Sequence, residues 1–92
     1  MRELVFSPKF KRAYRKFVKR DRTLQRKIDD ALSLMRQDVF AASLRTHKLS
    51  GELAELSACS CGYDCRIVFF LDRQGDQERI VLVDIGTHDE VY

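Results

Sequence analysis

The chain contains two histidines, His47 and His88, and each directly follows a threonine. Imidazole titrates near neutral pH, so a pair of them can take a proton from one oxygen and return one to another. Each lies just outside a predicted regular element, where a solvated loop histidine is the bland alternative. Around His88, Thr87-x-x-Glu90 is a capping-box pattern that predicts one helical turn. That turn puts His88 and Tyr92 on one side at i, i+4, an imidazole beside a ring on which a nucleotide base can stack. A packed C-terminus with Tyr92 over the core fits the same spacing. Asp64 and Arg66 alternate in a strand-like run and so share a sheet face. They read either as a buried ion pair or as a carboxylate and a guanidinium flanking a phosphate.

Cys59, Cys61 and Cys65 fall within seven residues. The C-x-C-x3-C pattern lacks the paired C-x2-C spacing of zinc sites, and a fourth ligand, such as His47, would come from far away. Reduced thiols with Cys65 in the core are expected, because a cytosolic address disfavours a disulfide. The chain has no glycine-rich phosphate loop, no nucleophile elbow and no His-Glu-x-x-His. No metal or cofactor is therefore expected.

The net charge of +3 hides a strong asymmetry. Residues 1–50 hold fourteen Lys/Arg against five Asp/Glu, and residues 51–92 hold three against nine. Between Lys9 and Lys27 there are ten basic residues and one acid, Asp21. An unmixed basic block on helices points to a polyanion, nucleic acid or an acidic protein, more than to a merely solvated face. Lys16 and Lys19 within it, with Lys48 beside His47, are candidate phosphate contacts. At 92 residues and 45% hydrophobic composition this is one soluble domain, 1–92, able to bury only roughly 60–65% of its unfolded surface. The longest apolar run, 67–71, is far short of the roughly 20 residues that span a bilayer, and the first residues do not resemble a signal peptide. A cytoplasmic protein with no membrane partner is expected.

These side chains need elements to position them. Residues 2–6 read as a strand with Leu4 and Phe6 on one face. Ser7-Pro8 then reads as an N-cap followed by proline at the first helical position. Phe10, Ala13, Tyr14, Phe17 and Val18 predict an amphipathic helix to about residue 19. Leu24, Ile28, Ala31, Leu32 and Met35 predict a second, capped by Asp21. So short a connection predicts an antiparallel helical hairpin. Residues 52–57 can form a strand, 59–62 a compact connection, 63–72 the strongest strand, 73–76 a turn and 78–85 the next strand. The expected fold is α+β: an N-terminal strand, then a helical hairpin packed on one face of a small, mainly antiparallel sheet.

Taken together, Phe6-Ser7-Pro8-Lys9-Phe10-Lys11, His47-Lys48-Leu49-Ser50-Gly51, Tyr63-Asp64-Cys65-Arg66-Ile67-Val68-Phe69 and Gly86-Thr87-His88-Asp89-Glu90-Val91-Tyr92 give the whole chain a resemblance. It resembles the RelE/ParE superfamily of bacterial toxins, and within it the YafQ-type mRNA interferases. The resemblance implies a RelE-like fold and a ribosome-dependent endoribonuclease that cuts mRNA in the decoding site. The RNA 2′-hydroxyl attacks and leaves a cyclic phosphate and a 5′-hydroxyl, without metal. It also implies an antitoxin partner, with mRNA and ribosomal RNA as the nucleic-acid contacts. By the same resemblance His88 and His47 match catalytic histidines, Asp64 a catalytic carboxylate and Tyr92 a site aromatic. Arg66 is added from strand parity as a phosphate stabiliser.

One position departs from the pattern. The family keeps a further histidine four residues before the strand aspartate, where this chain has Ser60. Serine does not exchange protons near neutral pH, so a slower enzyme or a catalytically weakened RNA-binding homologue is one alternative. A ParE-like inhibitor that binds DNA gyrase without catalysis is another. A titrating pair around Asp64 favours the enzyme, since a binding module needs none.

Overall fold

A computed structural model describes residues 2–91. The chain runs β1 (Glu3–Phe6), α1 (Pro8–Phe17), α2 (Arg22–Gln37), β2 (His47–Lys48), β3 (Ser57–Gly62), β4 (Cys65–Gln74), β5 (Gln77–Gly86) and α3 (His88–Val91). Short 3-10 turns occupy Ala42–Leu44 and Gly51–Leu53.

The first helix starts where the sequence places it. Ser7 accepts at Oγ from the Phe10 N–H (3.0 Å), and Pro8 occupies a position whose N–H has no helical partner. At the start of α2, Asp21 accepts from the Leu24 N–H (3.0 Å) in the same way. Between the helices the chain turns tightly through Arg20, at φ 62°, which ends α1 at Phe17 rather than residue 19. The helices lie side by side, and the Tyr14 hydroxyl donates to Asp29 Oδ1 (2.8 Å). Burial first, and then that hydrogen bond, push the Tyr14 phenol above its ordinary pKa and keep it a donor.

The sheet order is β1-β5-β4-β3-β2. Only β1 pairs in parallel, with β5; the other three pairings are antiparallel. The long central strands β4 and β5 turn at Gly75, whose φ of 62° suits a residue without Cβ. Across these strands Phe69 faces Leu82 and Ile67 faces Ile85, all four buried. With Phe10, Ile28 and Met35 from the helices they form the core on one face. The α+β arrangement and the helix-covered sheet agree with the sequence reading.

Two expectations about the middle of the chain are corrected. Residues 52–57 do not form a strand: Gly51–Leu53 is a 3-10 turn and the strand begins at Ser57. The cysteine-rich segment expected as a connection is strand β3 itself. Its Ala58, Cys59 and Cys61 are small enough to be fully covered, which lets so polar a run lie inside the sheet. The thiols also differ from expectation. Cys61 and Cys65 are joined by a disulfide, because a register shift between Ser60 and Gly62 leaves Cys61 next to the start of β4. Their Cα atoms are 5.0 Å apart, within the disulfide range. Two of three thiols are thereby used, so a zinc site built on all three does not form. Cys59 stays reduced, with its pKa pushed up to about 12 chiefly by burial.

A direct test follows. The native protein should not react with a thiol reagent, whereas in denaturant one thiol per chain should react, and three after reduction. Cys61→Ser should lower stability by roughly 2 kcal/mol, the chain-entropy value for so short a loop, read as a fall in Tm.

Candidate active site

Three of the candidate residues, Asp64, Arg66 and His88, come together near the turn between β3 and β4. Strand parity predicts Asp64 and Arg66 on one sheet face. The strand is broken there: Tyr63 and Asp64 form the turn, and Cys65 begins β4. Asp64 and Arg66 make no ion pair among the described residues. Instead the Asp64 carboxylate reaches across the end of the sheet, where Oδ1 accepts from the backbone N–H of His88 (3.1 Å).

Arg66 lies in β4 between Ser60 of β3 and Gly86 of β5. Its guanidinium folds over the turn, with Nη1 donating to the carbonyls of Cys65 (3.0 Å), Tyr63 (3.4 Å) and Gly62 (3.5 Å). One positive charge thus caps three carbonyl dipoles and fixes the turn that carries Asp64.

His88 opens α3, and the predicted capping box is present. The Thr87 N–H donates to Glu90 Oε1 (2.9 Å), and the Glu90 N–H donates to Thr87 Oγ1 (3.3 Å). The Thr87 backbone N–H first, and then the Thr87 side chain, hold the Glu90 carboxyl below its ordinary pKa, with Lys16 adding a smaller pull. Gly86 lets this turn sit close: a Cβ there would come within 3.2 Å of Glu90. The His88 imidazole is half-exposed, and its Nδ1 lies 3.6 Å from Asp89 Oδ1. Because the folded Glu90 pKa is depressed, the capping contribution is complete above the ordinary carboxylate value and disappears as pH falls through the lowered one. Hydrogen-exchange protection at the Thr87 and Glu90 amides should fall across that acid range.

His47 sits elsewhere, on edge strand β2. Its Nδ1 donates to the Arg45 carbonyl (3.0 Å), so in the neutral ring the basic lone pair is on Nε2. Three strand spacings separate β2 from β5, on the order of 14 Å. The two histidines therefore flank the sheet end from opposite sides rather than touching. Beside the β3–β4 turn lies a cleft of about 500 Å³ lined by Arg45, Ser60, Tyr63 and Arg66, with neither histidine in its lining. Ser60, at the position where the family pattern has histidine, faces this cleft.

Lys16 comes near enough to α3 for its charge to act on Glu90, and Lys48 is exposed beside His47. Lys19 is exposed in the turn between the helices. Tyr92 lies outside the described residues, and with it the expected pairing with His88. Sequence reasoning missed Arg45 and Tyr63. Arg45 takes a left-handed conformation, φ 52°, that no local residue type announces, and Tyr63 reads as an ordinary strand aromatic until the turn is seen. Among the described residues no three His, Cys, Asp or Glu side chains are grouped to hold a metal.

A 92-residue chain with a helical hairpin on a five-stranded sheet, and polar side chains at one sheet end, has the RelE-like toxin fold. The structure superposes on YafQ from Escherichia coli strain BL21(DE3) with a TM-score of 0.79, at 14% identity, covering 100% of this chain and 99% of that one. It matches a YoeB/ParE toxin from Agrobacterium tumefaciens with a TM-score of 0.78, at 20% identity, covering 94% and 98%. YafQ in the E. coli DinJ–YafQ complex matches at 0.73, with 16% identity and 100% and 99% coverage. No curated protein sequence matches the chain. The model of the family described as bacterial toxin of type II toxin-antitoxin system, YafQ, matches residues 2–92, and the chain belongs to that family.

Proposed function

We propose that this toxin is a ribosome-dependent mRNA endoribonuclease that cuts in the decoding site by acid/base chemistry. The observation that carries the reading is the Asp64–His88 hydrogen bond, which fixes an imidazole-bearing turn at the edge of an arginine-lined cleft. In this mechanism the RNA 2′-oxygen attacks the adjacent phosphorus and gives up its proton to an imidazole. The 5′-oxygen leaves with a proton from the opposite side, so the products are a 2′,3′-cyclic phosphate and a 5′-hydroxyl. His88 is the main proton-transfer group and His47 its counterpart on the other side of the sheet end. Asp64 is a positioning residue acting through the His88 backbone. Arg66 offers its charge to the pentavalent phosphate, so the scheme uses no metal. Tyr92 positions a base.

Lys16, Lys19 and Lys48 contact phosphates of mRNA or ribosomal RNA. Reversing Lys16 and Lys19 to Glu should weaken ribosome association and flatten its salt dependence; ribosome pelleting across a salt series measures both. An antitoxin is the protein partner. The E. coli relative is seen in complex with DinJ, and the basic helical hairpin here suits an acidic segment that folds on binding. No helix among the described residues is long and apolar enough to cross a membrane. The proposed site of action is the cytoplasm, where the ribosomes are.

The deciding experiment is cleavage of mRNA on programmed ribosomes, with 5′ ends mapped for the wild type and His88→Ala. Cuts in the decoding site that require the ribosome and vanish in the variant are expected. A folded toxin that arrests growth without cutting would instead support the gyrase-inhibitor reading. Ser60, facing the cleft, favours one refinement, namely a catalytically slowed enzyme. Ser60→His should then raise kcat/KM by at least about ten-fold, a floor set below the roughly 10²- to 10⁴-fold that a fully positioned general acid or base contributes.

A further inference from the structure

Tyr63 is 99% exposed, the most exposed large hydrophobic side chain described. A tyrosine gains nothing for folding in that position, because its ring buries no apolar surface. Yet the backbone beneath it is held from three directions. The Cys61–Cys65 disulfide closes the base of the turn. Arg66 Nη1 draws in the Gly62, Tyr63 and Cys65 carbonyls, and Asp64 anchors the turn to His88. The ring therefore stands on a fixed stem, with only its own two side-chain torsions to lose on contact.

The surroundings indicate what it contacts. Tyr63 borders two clefts, the one with Arg45, Ser60 and Arg66 and a smaller one of about 260 Å³ on the helix side that includes Lys27. The Lys27 stem passes near Gly62, 3.7 Å from where a Cβ would stand. Cations thus lie on both sides of an exposed ring, one residue from Asp64. An aromatic anchor for a protein partner sits in an apolar patch ringed by polar groups. On the helix side Lys27 is accompanied by Asp21, Asp64, Phe17 and Leu24, but on the other side the ring meets Ser60, Arg45 and Arg66 with no carboxylate among them, and there the pattern is that of a stacking platform beside a phosphate-binding surface.

We infer that Tyr63 is a stacking platform for one base of the single-stranded RNA next to the scissile phosphate. It is a positioning residue that holds the nucleotide against the Arg66 side of the cleft. The inference rests on the nuclease reading for the word scissile, but the stacking itself does not need catalysis.

The test compares wild type, Tyr63→Phe and Tyr63→Ala in two measurements. The first is the affinity for ribosomes programmed with an mRNA carrying a 2′-deoxy residue at the cleavage position, which binds without being cut. The second is kcat and KM for cleavage of the all-ribose mRNA. Base stacking of ordinary strength predicts that alanine weakens binding by about 5- to 150-fold while phenylalanine stays within about two-fold. In cleavage the loss should fall mainly on KM. All three proteins should melt alike, since the ring is exposed. Alanine binding as tightly as wild type, or phenylalanine failing as badly as alanine, overturns the inference even if cleavage is normal. Weakened binding by alanine alone, with no cleavage by any of the three, sinks the nuclease reading and leaves the platform standing.

Discussion

His88→Gln should lower kcat/KM for ribosome-dependent cleavage by about 10²- to 10⁴-fold, the contribution usual for a positioned general acid or base. The fold should barely notice. The bond that ties His88 to the turn is its backbone N–H to Asp64 Oδ1, and every residue but proline offers the same donor. Its imidazole is half-exposed and fills no part of the core. Activity and melting temperature should therefore separate, with Tm changing by no more than a degree or two. Asp64→Ala makes the complementary case. It removes the acceptor rather than the reacting group, so His88 stays in place chemically but loses its anchor, and kcat should fall less. Restoring the acceptor with Asp64→Asn should recover part of the loss; an asparagine no better than alanine would show that the charge itself acts. Parallel pH–rate profiles for Asp64→Asn and wild type separate anchoring from proton transfer.

The second large effect is on stability. Phe69→Ala should cost about 3–5 kcal/mol, the range for truncating a fully buried phenylalanine. Phe69 is 1% exposed on the central strand β4, opposite Leu82 of β5, and packs within the same cluster as Phe10, Ile28 and Met35. A register irregularity between Val68 and Phe69 interrupts the pairing at this point, so the ring also helps to hold the strand after the bulge. A small domain has only about 5–15 kcal/mol in total. The loss should bring Tm down by at least about 12 °C, as calorimetry or circular dichroism would show. Phe69→Leu, which keeps most of the volume, should cost distinctly less.

The helices, their caps and the long hairpin were legible because their signals are local. Ser7-Pro8, Asp21 and the Thr87–Glu90 pair each form their hydrogen bonds within three residues, and apolar spacing places Phe10, Ile28 and Met35 on the core face. The site was legible as a set of residue types but not as an arrangement. Asp64 bonds a group 24 positions away, and nothing near it in sequence says so. Parity arguments across 63–66 assume a continuous strand, and one two-residue turn cancels them. The cysteines misled for a related reason. Their spacing looks like a connection, but small side chains and a disulfide let the segment run as β3 inside the sheet. Arg45 was invisible because a left-handed backbone at arginine is imposed by the tertiary fold.

The parallel pairing of β1 with β5 has a consequence for time rather than for shape. Ser7 donates its N–H to the carbonyl of Leu82, and its hydroxyl reaches Val83, 76 positions further along the chain. β1 is synthesised well before β5 and waits for it before it has a neighbour in the sheet, and α1, which packs on β5, waits with it. Contacts so distant in sequence make folding slow compared with a helical bundle of this size. Until translation has passed Gly86 there is no completed sheet, and the residue after Thr87 has not yet been added. A growing chain is thus without its full scaffold and without His88 at the same moment, and it gains both together once translation has passed residue 88.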